Sequence, residues 1–91
     1  MIEPRALPRL RRGVALRYDR VRQRHVLLYP EGVLVLNTTA ADIVERCDGD
    51  TSVAEITTTL RERYRGVQDA DVADVLKRLA ERGMIEVVKH D

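Results

Sequence analysis

The chain changes its hydrophobic period near Asn37. Before this residue, apolar side chains alternate with polar ones or form short continuous runs, which is typical of β-strands. The three runs are 14–18, 25–29 and 33–36. Because a polar stretch and a Pro-Glu-Gly break separate these runs, segment 12–37 is predicted to form a three-stranded antiparallel sheet.

Beyond Asn37 the apolar positions recur every three or four residues, as on one face of a helix. Three amphipathic helices are therefore predicted within 38–83. Their start signals are Thr38 or Thr39 as an N-cap, the capping box of Ser52 and Glu55, and Asp69. The predicted fold class is α+β and winged-helix-like, with the N-terminal three-stranded antiparallel sheet followed by a three-helix bundle.

The length of 91 residues allows one domain with one small core. This core is expected to be aliphatic, since the chain contains no Phe and no Trp. We expect a single domain over 1–91. Its parts are a flexible arm (1–11), the strands (12–37), the three helices (38–83) and a tail or short closing strand (84–91).

The net charge of +1 conceals two unlike halves. Residues 1–30 carry eight Arg against two acids, a balance of +6, whereas residues 31–91 carry eight basic against thirteen acidic groups, a balance of −5. Arginine can bind carboxylates or phosphates through two parallel hydrogen bonds, but scattered arginines also form ordinary solvated surfaces. Charge alone leaves both interpretations open.

The chain offers little chemistry for catalysis. His25 and His90 lie apart in the sequence, and Cys47 falls on the apolar stripe of the first helix, where a buried thiol is ordinary. There is no glycine-rich nucleotide-binding motif and no cysteine spacing typical of a metal site. We therefore expect no enzyme activity and no cofactor. With one cysteine and no long apolar run, a cytoplasmic protein without membrane contact is predicted.

A winged-helix-like order raises DNA binding as one hypothesis, because such domains insert their third helix into the major groove. The first turns of this helix carry acids, at Asp69, Asp71 and Asp74, and its cations come late. These acids would face phosphates, and a near-neutral chain gains little from counterion release. We predict no nucleic-acid partner and keep a DNA-binding regulator as the alternative function.

The second and third predicted strands are apolar on both faces, at 26–29 and 33–36. Three helices can cover only one face, so the other must meet the N-terminal arm, a second copy in a homodimer, or a partner protein. The third strand also lacks the charges that protect a free edge. If it is an edge strand, it is a template for an added peptide strand; a central position or a dimer contact is the alternative.

Several segments together resemble the PqqD family of pyrroloquinoline quinone biosynthesis. The most specific are the run LYPEGVLVLN at 28–37 and the pair of Cys47-Asp48-Gly49 with Ser52-Val53-Ala54-Glu55-Ile56. The resemblance extends from about Pro8 to Ile85. It implies a non-catalytic peptide chaperone, known as a RiPP recognition element, that binds the ribosomal precursor peptide as an added strand along the third strand, beside the third helix.

The resemblance also implies a second partner, a radical S-adenosylmethionine enzyme with iron–sulfur clusters. The chaperone presents the peptide to this enzyme, which joins the side chains of a Glu and a Tyr in the precursor. The enzyme-partner surface is expected on the apolar sheet face or on the arginine-rich segment Arg5 to Arg24. The residues selected for it are Arg9, Arg11 and Arg12.

The peptide groove is expected between the third strand and the third helix. On a helical wheel, Arg78 and Arg82 share one margin of the core stripe, where an acidic peptide would find bidentate donors. Alternatively, these arginines have no role in peptide binding and pair only with neighbouring acids or with solvent. The predicted peptide-binding residues are Val33, Leu34, Val35, Leu36, Val75, Leu79, Arg78 and Arg82.

Overall fold

The computed structural model describes residues 2–88. It has five strands and three helices within that range, in the order β1, β2, β3, β4, α1, α2, α3, β5. Their bounds are β1 Leu7–Leu10, β2 Ala15–Asp19, β3 Arg24–Tyr29, β4 Gly32–Val35, α1 Thr38–Glu45, α2 Val53–Arg63, α3 Asp69–Glu81 and β5 Ile85–Val88. The predicted α+β class is confirmed.

The strands form two antiparallel sheets. One has the order β2-β3-β4, and the other pairs β1 with β5, so that Leu7 lies opposite Val88 and Leu10 opposite Ile85. The single N-terminal sheet expected from the sequence is therefore only part of the arrangement, because the first and last strands form a sheet of their own. The expected flexible arm likewise differs from the structure at Leu7–Leu10, which is a paired strand.

The segment before β1 also has a defined position, because it caps α2. The first two amides of this helix donate to backbone carbonyls of that segment, Val53 to Ala6 at 3.0 Å and Ala54 to Pro4 at 2.9 Å. The third amide, of Glu55, donates to the Ser52 hydroxyl, which completes the predicted capping box. Three of the helix N–H groups that have no partner within the helix are thus satisfied.

The first helix is capped one residue earlier than expected. Asn37, in place of Thr38 or Thr39, adopts an extended conformation, and its side-chain carbonyl accepts the Ala40 N–H at 2.7 Å. Asn, Ser, Asp and Thr all serve as N-caps, so the sequence alone could not choose among three adjacent candidates. The third helix begins at Asp69, as predicted.

The core lies between the helices and one face of the three-stranded sheet, and it is aliphatic as expected. Its most buried members come from β3 and from all three helices: Leu27, Ile43, Ile56, Leu60, Val72 and Leu76. The N-terminal arm was one candidate to cover the other sheet face, but its residues Ile2 and Leu10 pack against this core instead. On the outer face of the three-stranded sheet, Leu28, Val33 and Val35 remain exposed.

Candidate functional site

Strand β4 is an edge of the three-stranded sheet, because β3 is its one neighbour among the described strands. The sequence analysis predicted a template for an added strand if this strand lies at a sheet edge, and it does. Within residues 2–88, β4 is not a central strand. The edge carries none of the usual protection, since its four residues are Gly32, Val33, Leu34 and Val35.

The register decides which backbone groups of β4 point away from the sheet. The Leu36 N–H donates to the His25 carbonyl at 2.9 Å, so this pair is a hydrogen-bonded one. In an antiparallel ladder such pairs alternate with non-hydrogen-bonded pairs, so Leu34 also faces β3, whereas Val33 and Val35 direct their N–H and C=O groups outward. The free edge thus offers two residues for pairing.

The side chains of the same two residues lie on the outer face of the sheet. Val33 is 48% exposed and Val35 is 40% exposed, and Leu28 in β3, opposite Val33, is 39% exposed. Val26, opposite Val35 on this face, is buried. The outer face therefore presents an apolar surface next to the free edge, where Leu28, Val33 and Val35 are exposed, while Val26 is covered within residues 2–88.

Two of the predicted peptide-binding residues lie in the hydrophobic core. Leu36 is 6% exposed and Leu79 is 4% exposed, so their side chains pack in the core below the proposed groove. Leu34 and Val75 are half-buried and pack against the core margin. Apolar residues at the margin and at the centre of a helical stripe look alike in a sequence, which is why Leu79 was selected together with Val75.

The two predicted arginines of α3 have different surroundings. Arg78 is exposed and forms an ion pair with Asp74, with 3.1 Å between Nη2 and Oδ2. The sequence analysis gave such a pairing with a neighbouring acid as the alternative to a role in peptide binding. Arg82 follows the helix as its C-cap residue and lies beside a depression at that end of the fold. Of these two arginines, Arg78 is thus paired, whereas Arg82 has no ion pair within residues 2–88.

The three arginines selected for the enzyme surface are also divided. Arg9 in β1 pairs with Glu86 in β5 at 3.1 Å, across the two-stranded sheet. Arg11 and Arg12 lie beyond the end of β1 and line the same depression as Arg82. The sequence had assigned Arg82 to the peptide and the other two to the enzyme, but the fold brings the three together.

The described residues hold little catalytic chemistry. Within 2–88 there is no group of three or more His, Cys, Asp or Glu side chains arranged to hold a metal ion. His25 packs edge-on against the Tyr18 ring, and His90 lies outside the described residues. No helix in the described part of the chain is long and apolar enough to cross a membrane.

Cys47 is expected to resist thiol reagents in the folded protein. Desolvation by burial, with a smaller contribution from the Asp48 carboxylate, raises the pKa of its thiol to about 12. At about pH 8 almost none of it is the reactive thiolate. Ellman's reagent should therefore release no chromophore from the native protein and one equivalent after denaturation in guanidinium chloride. Rapid reaction of the native protein would contradict this burial.

A comparison with protein-family models places residues 24–85 in the family described as coenzyme PQQ synthesis protein D (PqqD). The chain belongs to the PqqD family. The matched segment begins with β3 and includes β4 and all three helices, so it contains the free edge and the whole of α3. The family resemblance inferred from 28–37 and from the segments around Cys47 and Ser52 is confirmed.

Individual relatives extend the likeness to nearly the full chain. A protein of Azotobacter vinelandii named "PqqA binding protein" is 43% identical over 84 residues, which cover 89% of this chain and 90% of the relative. The bifunctional coenzyme PQQ synthesis protein C/D of Methylorubrum extorquens is 37% identical over 88% of this chain, which spans 22% of that longer protein.

A solved structure of the family has the same fold. The solution structure of the PqqD truncation of Methylobacterium extorquens PqqCD, described as a stand-alone RiPP recognition element, matches with a TM-score of 0.74 and 36% identity. The match covers 94% of this chain and 95% of that one. It includes the segment before β3, which the family model does not match.

Proposed function

We propose that this PqqD-family chain is a non-catalytic peptide chaperone of pyrroloquinoline quinone biosynthesis, which binds the precursor peptide PqqA as a strand added to the free edge of β4. The observation that carries the proposal is the pair of outward-facing residues, Val33 and Val35, in an edge strand without protective charge. The relatives named for PqqA binding and the solved RiPP recognition element support it.

Strand addition supplies affinity through the backbone. Each hydrogen bond to the Val33 or Val35 backbone contributes about 0.5–1.5 kcal/mol net. Apolar contacts with Leu34 and Val75 at the core margin add to this, and ordering the peptide costs part of the sum. A dissociation constant in the micromolar or submicromolar range, about −8 to −10 kcal/mol, is the expected balance.

The chaperone then presents the bound peptide to a radical S-adenosylmethionine enzyme, which crosslinks a Glu and a Tyr of the precursor. For this contact we propose the basic N-terminal portion with Arg9, Arg11 and Arg12, together with the apolar outer face of the sheet. The exposed Leu28, Val33 and Val35 side chains of that face are also available to a second copy, so a homodimer is the competing occupant.

The alternative function, a winged-helix DNA-binding regulator, is less well supported. The first turn of α3 contains Asp69 and Asp71. Arg61 pairs with Asp69 at 3.2 Å, but Asp71 has no ion pair within residues 2–88, so these three groups leave the helix start with a net charge of −1. A surface of this kind has little attraction for phosphate.

One titration separates the two functions. Backbone amide chemical shifts are followed by NMR while a synthetic PqqA peptide, or a duplex DNA, is added at physiological salt. With PqqA we expect saturable shifts at residues 32–37 and on α3. With DNA we expect none. Saturable shifts with DNA alone would establish the regulator instead.

A further inference from the structure

A basic depression of about 300 Å³ lies between the C-terminal end of α3 and the turn that joins β3 to β4. Its charged lining consists of Arg11, Arg12 and Arg82 against the single carboxylate of Glu31. Tyr29, the last residue of β3, forms part of its wall. Three arginines from two distant parts of the chain thus line one cavity.

The three arginines of the depression form no ion pair with another part of residues 2–88. Of the six ion pairs that the structure has within residues 2–88, none includes Arg11, Arg12, Arg82 or Glu31. Arg9 and Arg78, their near neighbours in the sequence, are both paired with carboxylates. The depression therefore has an excess of two positive charges for an incoming group to neutralise.

The backbone holds this cluster in position. The Arg11 N–H donates to the Met84 carbonyl, and the Val14 N–H donates to the Arg11 carbonyl, both at 3.0 Å. Gly13, within that turn, has a φ of +89°, which favours glycine. A Cβ at this position would lie 3.8 Å from Cγ of Pro30, so Gly13 lies next to the β3–β4 turn. The arginine-bearing turn is thereby fixed against the end of the three-stranded sheet.

Two features oppose an anion in the depression, Glu31 and the negative end of the α3 dipole. The dipole effect is small here, since the last carbonyls of the helix already accept hydrogen bonds. The Gly83 N–H donates to Ala80 and the Met84 N–H donates to Leu79. Three arginine charges along the lining of a concave site outweigh one carboxylate and a screened helix end.

The depression adjoins the path of the proposed added strand. Tyr29 in its wall pairs with Gly32, the first residue of β4, so a peptide that follows β4 reaches the depression at the Gly32 end. We propose that Arg11, Arg12 and Arg82 bind a carboxylate side chain of PqqA just beyond its strand-forming segment. This inference rests on the proposed function and moves Arg11 and Arg12 from the proposed enzyme contact to the peptide site. Arg9 and the apolar outer face of the sheet then remain for the enzyme.

The test measures PqqA affinity by fluorescence anisotropy for the full chain and for Arg82→Gln, Arg11→Gln with Arg12→Gln, and the triple variant. A charge-assisted contact predicts that Arg82→Gln weakens binding about fivefold to tenfold, and the triple variant weakens it further. The salt dependence between about 50 and 300 mM NaCl should fall in parallel. Arg65→Gln, an exposed arginine outside the cluster, is the matched control and should change little.

PqqA variants with single Glu→Gln or Asp→Asn changes identify the carboxylate. One of them should bind the unaltered protein as weakly as the triple variant binds unaltered PqqA, with no further loss when the two are combined. Unchanged affinity of the triple variant, or an equal loss in Arg65→Gln, would overturn the carboxylate site. If the triple variant binds PqqA with unchanged affinity while Val35→Pro loses binding, strand addition stands and only this site fails. If the unaltered protein does not bind PqqA, both fail.

Discussion

Replacing Val35 with proline is expected to reduce PqqA affinity by about thirtyfold or more while leaving the fold intact, which is equivalent to about 2 kcal/mol or more of binding free energy. Proline removes the outward-facing amide, so a carbonyl of the added strand loses its donor, and the ring obstructs the strand's approach. An edge position whose amide points away from the sheet tolerates proline. Isothermal titration calorimetry measures the loss.

Two matched variants show whether the backbone is responsible. Val35→Ala keeps the amide and shortens a side chain that is already 40% exposed, so its affinity should fall by only a few-fold. Leu34→Pro removes an amide that faces β3 and should instead lower the stability of the sheet itself. A folded Val35→Pro protein that binds PqqA at full strength would mean that strand addition does not occur at this edge.

The sequence predicted the local elements well because their signals are local. The apolar runs at 25–29 and 33–36 fall on β3 and β4, and the capping box of Ser52 and Glu55 begins α2. Strand β1 was missed because it has four residues, one of them Pro8. Its partner β5 lies at the other end of the chain, so its pairing is a tertiary feature without a local pattern.

The sequence predicted those features of the candidate site that lie within a single strand or helix, but not those formed by several elements together. Because β4 is apolar on both faces and lacks protective charges, the sequence predicted that it contacts a partner. Its position at the edge of the sheet could be learned only from the strand order. The helical wheel placed Arg78 and Arg82 on the same margin of the helix, but it could not show that Arg78 forms an ion pair with Asp74. The meeting of Arg82 with Arg11 and Arg12 depends on the β1–β5 pairing, which brings the end of α3 beside the turn after β1.

A buried carboxylate that the sequence analysis did not single out joins α1 to the end of α2. Asp42 is 6% exposed and pairs with Arg46 in the next helical turn and with Arg63 at 3.1 Å. The Tyr64 hydroxyl donates to the same carboxylate at 2.8 Å. This hydrogen bond is the main reason that the pKa of Tyr64 is raised above its ordinary value.

Asp42→Ala is expected to lower the free energy of unfolding by about 2–3 kcal/mol, since it removes the shared acceptor of two arginines and a tyrosine. The loss falls below that of a fully buried pair because Arg63 is half-exposed and regains water. In a chain of this size the melting temperature should fall by about 10–20 °C. Urea denaturation followed by circular dichroism gives the free energy.

Glu45→Ala is the matched control, because Glu45 is an exposed acid at the end of the same helix, and its effect should stay within about 0.5 kcal/mol. Equal destabilisation by both substitutions would show that Asp42 is not a structural junction. Folded Asp42→Ala protein, measured well below its melting temperature, should still bind PqqA normally, since Asp42 belongs to neither β4 nor α3. The Tyr64 pKa should at the same time fall toward its ordinary value, which spectrophotometric titration of the tyrosines detects.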